Sequence, residues 1–252
     1  MKKLIYIFVA LLSTCAFAQN TSLFEEGNTL YTNENFEQAI LKYESVLKNN
    51  QHSAELYFNL ANAHYKLNHI APSIYYYEKA LQLDPNSKDI QNNLSFAKNM
   101  TIDAIGVVPE LGLSKYIKNI SNKLNFDTWS ITSIVFVCLF VVFVLYYYFA
   151  YSTTRKRLSF ISSFICIGLA IVSLAFAFHK YNLDKKDRPA IIFAQESQVK
   201  SEPNLKSTEA FVLHEGTKVQ ILDTINNWQK IKLSDGKTGW ILNDDLKPLK
   251  DF

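Results

Sequence analysis

The sequence predicts a multidomain membrane protein made of an all-α repeat arm, a hairpin of two transmembrane helices and a small all-β domain. Three observations carry this reading. Residues 129–150 and 158–179 are two apolar stretches without Asp, Glu, Lys or Arg, each of the roughly 20 residues that an α-helix needs to cross a bilayer core. Before them the chain resembles itself at an offset of 34 residues. After them, from Arg188 on, helical spacing gives way to short alternating runs broken by turn residues, the pattern of small β domains.

Residues 1–18 read as an export signal. Lys2 and Lys3 form its charged start, Leu4 to Leu12 its apolar run, and Ala16-Phe17-Ala18 a small-x-small cleavage site before Gln19. An uncleaved signal would carry the same pattern and act as a third anchor. Cys15 after Leu12-Ser13-Thr14 stands where a lipoprotein would be lipidated, though Thr14 fits that position poorly.

Residues 20–105 form the repeat arm with a capping helix. Laying Asn20–Ser53 over Ala54–Ser87 puts Leu23 on Tyr57, Gly27 on Ala61, Tyr31 on Tyr65, Ala39 on Ser73, Tyr43 on Tyr77 and Leu47 on Leu81. Small and large residues alternating at fixed places in a 34-residue period resemble the tetratricopeptide repeat. The second copy is near the family pattern and ends at Asp84-Pro85; the first departs at Glu26 and at Gln51, where the pattern prefers Leu and Pro. The spacing of Ile90, Leu94 and Ala97 predicts one more helix. Such arrays usually need three or more units, so the membrane, a partner or a second copy of the chain is expected to help support this one. By resemblance, the first helix of each pair lines a concave groove with Phe24, Asn28, Tyr31 and Thr32 in one unit and Glu55, Phe58, Asn62, Tyr65 and Lys66 in the next. Such side chains suit an extended peptide or a partner helix; alternatively, Phe24 and Phe58 only pack neighbouring helices. Some relatives grip a C-terminal carboxylate with Lys and Asn. Asn28 and Asn59 match the amide positions, but Phe24 and Asp89 stand where cations would be needed, which argues against that activity.

Residues 106–128 form an interfacial joint. Leu113, Ile117, Ile120 and Leu124 fall on one helical face, with Lys115, Lys118 and Lys123 off it. Between the two apolar stretches, residues 151–157 read as a basic turn containing Arg155-Lys156-Arg157. The positive-inside rule puts that turn in the cytoplasm, which leaves both polar arms outside it, at a bacterial inner membrane. Lysines near the outer ends of both helices make this asymmetry less clean.

Residues 188–250 form the β domain. Ser234-Asp235-Gly236-Lys237 between apolar runs is a hairpin signal, and about five strands are expected. Leu213 to Val219, Trp228, and Gly236-Lys237-Thr238-Gly239-Trp240-Ile241 resemble a bacterial SH3-like domain. The resemblance implies binding of cell-wall peptides or proteins, with Trp228 as the contact residue, Trp240 as core and His214 as a turn residue.

Composition narrows the function. The stretch 20–128 holds nine Lys/Arg against twelve Asp/Glu, and 180–252 twelve against eleven. Neither is the basic surface that nucleic acid requires. Cys15 lies in the signal and Cys138 and Cys166 in the apolar stretches, so the polar arms have no disulfide, zinc knuckle or thiol nucleophile, and the membrane thiols read as packing residues. No phosphate loop, nucleophile elbow or metal-binding helix is present; the expectation is a non-enzyme without cofactor or metal. The order of modules, with Asn93 to Lys98, Asp103 and Val108-Pro109-Glu110, resembles the BatE-like proteins of the Bat (aerotolerance) operon. That resemblance implies partners among Bat membrane proteins with von Willebrand A-type domains, and a role in envelope stress or oxygen tolerance. A peptidoglycan-docking factor and a transmembrane sensor are the other readings; the short turn leaves a sensor no cytoplasmic output.

Overall fold

The computed structural model describes residues 21–106, 108 and 112–250. The export signal at 1–18 lies outside them, as do Pro109 and Glu110 of the joint. Residues 108–187 form one compact unit, and the stretches on either side of them together form the other.

The repeat half of that second unit is helical: α1 (described from 21 to 32), α2 (Phe36–Lys48), α3 (Ala54–Lys66), α4 (Ile70–Leu83) and α5 (Lys88–Lys98). The 34-residue offset recurs in the caps. Ser53 Oγ accepts from Leu56 N–H and Ser87 Oγ from Ile90 N–H, each answering a donor left open at a helix start. At the end of α1, Glu34 adopts φ +62° while Asn35 N–H reaches Leu30 O; at the end of α3, Asn68 adopts φ +57° while His69 N–H reaches His64 O. Both are left-handed C-terminal caps. Gln51, the departure from the repeat pattern, follows a third such cap: Asn50 has φ +56° and Gln51 N–H reaches Val46 O. A left-handed Asn thus ends α2, as Pro85 ends α4. Close packing follows the small residues. A Cβ at Gly27 would meet the Tyr43 ring at 2.5 Å.

The other half is one antiparallel sheet, with β1 (Pro189–Ile192), β2 (Glu196–Lys200), β3 (Glu209–His214), β4 (Lys218–Ile225), β5 (Trp228–Lys232), β6 (Thr238–Leu242) and β7 (Leu246–Pro248). The spatial order is β3-β2-β6-β5-β4-β1-β7. The sequence reading expected about five strands; the short β7, which pairs with β1 after a single 3-10 turn, has too few residues to show a period. Gly236 has φ +93° in the turn foreseen there. Trp240 is 8% exposed, as expected of a core residue. Gly239 lets β2 come close, since a Cβ there would run into Val199.

The repeats and the sheet are not separate modules. β1 is buried along its whole length. Ala190 and Ile192 face the sheet core, whereas Ile191 packs, with Leu249, in the cluster formed by Ala71, Ile74, Tyr75, Leu94 and Ala97 of α4 and α5. An unbroken apolar run is the expected signature of a strand covered on both faces. The support that a short array needs therefore comes from the same chain.

The first unit contains α6 (Leu113–Ser121), α7 (Phe126–Phe149) and α8 (Thr153–Lys186). Both α7 and α8 are long and apolar enough to cross a membrane. They pack antiparallel: Trp129 stacks on Phe176 at 5.0 Å, Ser133 Oγ donates to Ala170 O at 3.0 Å, and Tyr147 meets Phe160 at 5.9 Å. The buried face of α8 is Ser159, Ser163, Cys166, Ala170, Ser173 and Ala177, a row of small residues that lets backbones approach. Cys166 is buried there, whereas Cys138 faces outward. The helices run past the apolar stretches. Asn125 caps α7 four residues before Trp129. Arg155, Lys156 and Arg157 occupy the start of α8, leaving only 150–152 as the connection. The reading of 151–157 as a turn is corrected accordingly: residues 153–157 contain no Gly or Pro, and Arg and Lys are good helix formers. On α6, Leu113, Tyr116, Ile117 and Ile120 are exposed.

Candidate functional site: the repeat groove and the repeat–sheet joint

The groove is built on a ladder of amides and phenols. Asn28 Oδ1 accepts from Tyr43 Oη and from Asn59 Nδ2, both at 2.9 Å. One repeat later, Asn62 Oδ1 accepts from Tyr77 Oη and from Asn93 Nδ2. Each oxygen thus joins three successive helices, α1–α2–α3 and then α3–α4–α5. A carbonyl oxygen has two lone pairs, so both are spent. The amides matching the carboxylate-gripping positions, Asn28 and Asn59, hold each other. Burial, with nearby Tyr31, Glu25 and Glu55, pushes the Tyr43 hydroxyl up to about 12, and burial pushes Tyr77 up as well. Both remain neutral donors.

Asn62→Ala should leave the Tyr77 hydroxyl, in a residue 1% exposed, and the Asn93 amide without their acceptor. The expected loss is about 1–3 kcal/mol, measured by denaturant unfolding. Adding Tyr77→Phe should cost less than the sum of the two single changes; strict additivity would mean that the ladder carries no energy.

The other groove residues divide. Tyr31, Asn62, Tyr65 and Lys66 come together, with Tyr77, Asn93 and Phe96, around a hollow of about 190 Å³. Lys66 is the charged residue of that lining. Phe24 and Glu55 lie instead on a second hollow of about 190 Å³ with His52 and Gln51. Phe24 meets Tyr43 at 5.8 Å and Phe58 meets Tyr77 at 6.0 Å, one repeat apart, so both rings pack neighbouring helices. Thr32 is exposed and its Oγ1 donates to Asn28 O. Phe96, 60% exposed, was not foreseen. The 34-residue offset places it at the Asn28 and Asn62 position, where the ladder stops and an aromatic begins.

On the sheet, Trp228 is half-buried and stands opposite Ile225 on β4 and Leu242 on β6. Cross-strand neighbours share a face, so the three form one apolar row.

The joint between repeats and sheet has its own polar contacts. Glu78 on α4 is 8% exposed and accepts from Lys98 at 2.9 Å and from Lys218 on β4 at 2.6 Å. Burial alone would raise its pKa, but Lys218 and Lys98 outweigh burial and hold it below the usual carboxylate range. Its contribution is present above the usual carboxylate pKa and is lost as pH falls through the lowered value. Asp103, after α5, accepts from His214 N–H at 2.7 Å, pairs with His214 Nδ1 at 2.8 Å, and accepts from Thr217 Oγ1 at 2.6 Å. Burial opposes the charge there too, yet the hydrogen bonds from Thr217 and His214 hold the Asp103 carboxyl down. His214 does close a strand end, as expected; the pairing across 111 residues was invisible in local sequence.

The described residues thus form a helical repeat array with an open groove, joined to a small antiparallel sheet, an architecture suited to binding. Comparison with known families agrees with both halves. Residues 54–87 match the family described as Tetratricopeptide repeat, residues 27–68 match that described as TPR repeat, and residues 197–247 match Bacterial SH3 domain. No curated protein matches the chain.

Proposed function

We propose that this chain is a non-catalytic scaffold of the bacterial inner membrane. Its repeat groove and SH3-like sheet would lie on the periplasmic face and bind other proteins beside the membrane. The observation that carries the proposal is the hollow at Tyr31, Asn62, Tyr65 and Lys66. The sheet covers another face of the array, around Ile74 and Tyr75, so the groove remains available to a partner. The Arg155–Arg157 cluster favours a cytoplasmic position for the α7–α8 connection. The Bat resemblance names the partners: membrane proteins with von Willebrand A-type domains, in a complex tied to envelope stress or oxygen tolerance.

Photo-crosslinking from position 65 in native membranes, with mass spectrometry of the adduct, tests this. A discrete membrane protein with a von Willebrand A-type domain is the expected capture. No adduct from a folded, membrane-bound chain would sink the groove reading.

The apolar row of half-buried Trp228 and Leu242 with exposed Ile225 supports a second reading, in which the sheet docks on peptidoglycan. Trp228→Ala separates the two. Lost wall retention with intact protein complexes supports docking on the wall; lost complexes with unchanged retention support the scaffold.

A further inference from the structure

His64, near the end of α3, is 8% exposed, and its Nε2 is buried without a hydrogen-bond partner. Its Nδ1 stands 3.1 Å from Nδ1 of His69, at the start of α4. Whichever ring donates in that contact, Nε2 of His64 remains a buried bare lone pair or an unanswered N–H. The ring stacks on Tyr76 at 5.5 Å and 11°. From there, ring contacts lead to the sheet: Tyr76 meets Tyr75 at 5.2 Å, and Tyr75 meets Phe193, just past β1, at 5.5 Å. The Lys247 ammonium of β7 lies 4.3 Å from the Phe193 ring centre.

We propose that His64 is a proton-sensitive latch on the repeat–sheet joint, closed while its ring is neutral and released when the ring takes up a proton. A charge on His64 would have no acceptor at Nε2 and would face His69 from α4, with Lys247 near by on β7. The phenol of Tyr76 offers its ring face. Lys79 lies farther along the same wall, over the Tyr57 and Tyr75 rings. Burial first, then His69 and Lys247, hold the folded His64 pKa at about 4, against the usual 6.5. The open form therefore takes up a proton below pH 6.5 that the closed form refuses until about pH 4. Stability is full above the open-state value and falls with pH down to the folded one. The other groups of the joint do not produce this loss. Glu78 and Asp103 have carboxyl pKa values lowered from the usual 4.5 and 3.8, so what they contribute is lost at lower pH than a step between about 6 and 5. His214 Nδ1 stands 2.8 Å from the Asp103 carboxylate.

The test is hydrogen exchange of the full chain in lipid nanodiscs from pH 7.5 to 4.5, corrected for intrinsic rates. Amides of β1 and α4 should lose protection by on the order of ten-fold per pH unit between about 6 and 5, and His64→Phe should abolish the step. His214→Asn should leave the step in place. Histidine-labelled NMR of the unmutated chain supplies a second readout if His64→Phe does not fold. The His64 ring should then titrate far below 6.5. Flat protection in the unmutated chain, a step that survives in folded His64→Phe, or a His64 titration near 6.5 would each overturn the latch.

Discussion

Gly216→Ala should destabilise the unit formed by the repeats and the sheet by about 2–5 kcal/mol. Two costs add. Gly216 has φ +83°, a left-handed backbone that strains any residue with a Cβ. A Cβ there would also lie 2.8 Å from Thr101 Cγ2, 2.9 Å from Ile74 Cδ1 and 3.0 Å from Ile70 Cγ2. Two of these atoms belong to branches at Cβ, which are stiff, so the clash is relieved by moving the helix away from the sheet. Gly236 supplies the comparison. It has φ +93° with nothing within 4 Å of an added Cβ, so Gly236→Ala should cost only the backbone strain, about 1–2 kcal/mol. Denaturant unfolding of both variants in detergent measures the difference. Equal losses would mean that the turn does not lie against α4.

Ile191→Asp should undo the joint outright, with a loss of more than about 4 kcal/mol, because an unpaired carboxylate would replace a fully buried side chain. The milder pair, Ile191→Ala and Ile192→Ala, is more informative. Both residues are 0% exposed, and each truncation should cost about 2–5 kcal/mol. They differ in where the damage falls. Ile191 lies in the cluster shared with α4 and α5, and Ile192 in the sheet core. Hydrogen exchange should show Ile191→Ala loosening α4 together with β1, and Ile192→Ala loosening β4 and β6 first. If α4 keeps its protection in Ile191→Ala, the repeats and sheet do not share a core.

These expectations separate what local sequence carries from what it does not. The repeat helices were legible because packing between helices only 34 residues apart imposes a period: Gly27 and Ala61, Tyr43 and Tyr77, Ser53 and Ser87 recur in step. Asn28 and Asn62 were picked as groove residues by resemblance to the repeat family. The register could not say that their oxygens are committed to neighbouring helices, since that depends on rotamers and on Asn59 and Asn93. Phe58 was read from position alone in the same way, and it meets Tyr77. The charged start of α8 was misread as a turn because composition marks where apolar side chains stop, not where helical hydrogen bonds stop.

By itself the sequence determined the modules: a helical repeat, two apolar helices and a strand-rich end, each coded by a short-range period of hydrophobic and turn residues. Only the tertiary structure decided that repeat and sheet are one body. That decision rests on contacts such as Asp103 with His214 and Glu78 with Lys218, separated by 111 and 140 residues. No local periodicity encodes a pairing across such a gap. The one local trace is the unbroken run Ala190-Ile191-Ile192-Phe193, in which alternate residues serve different cores. A strand needs such a run only when something covers both of its faces, and the sequence could not name what covers the second.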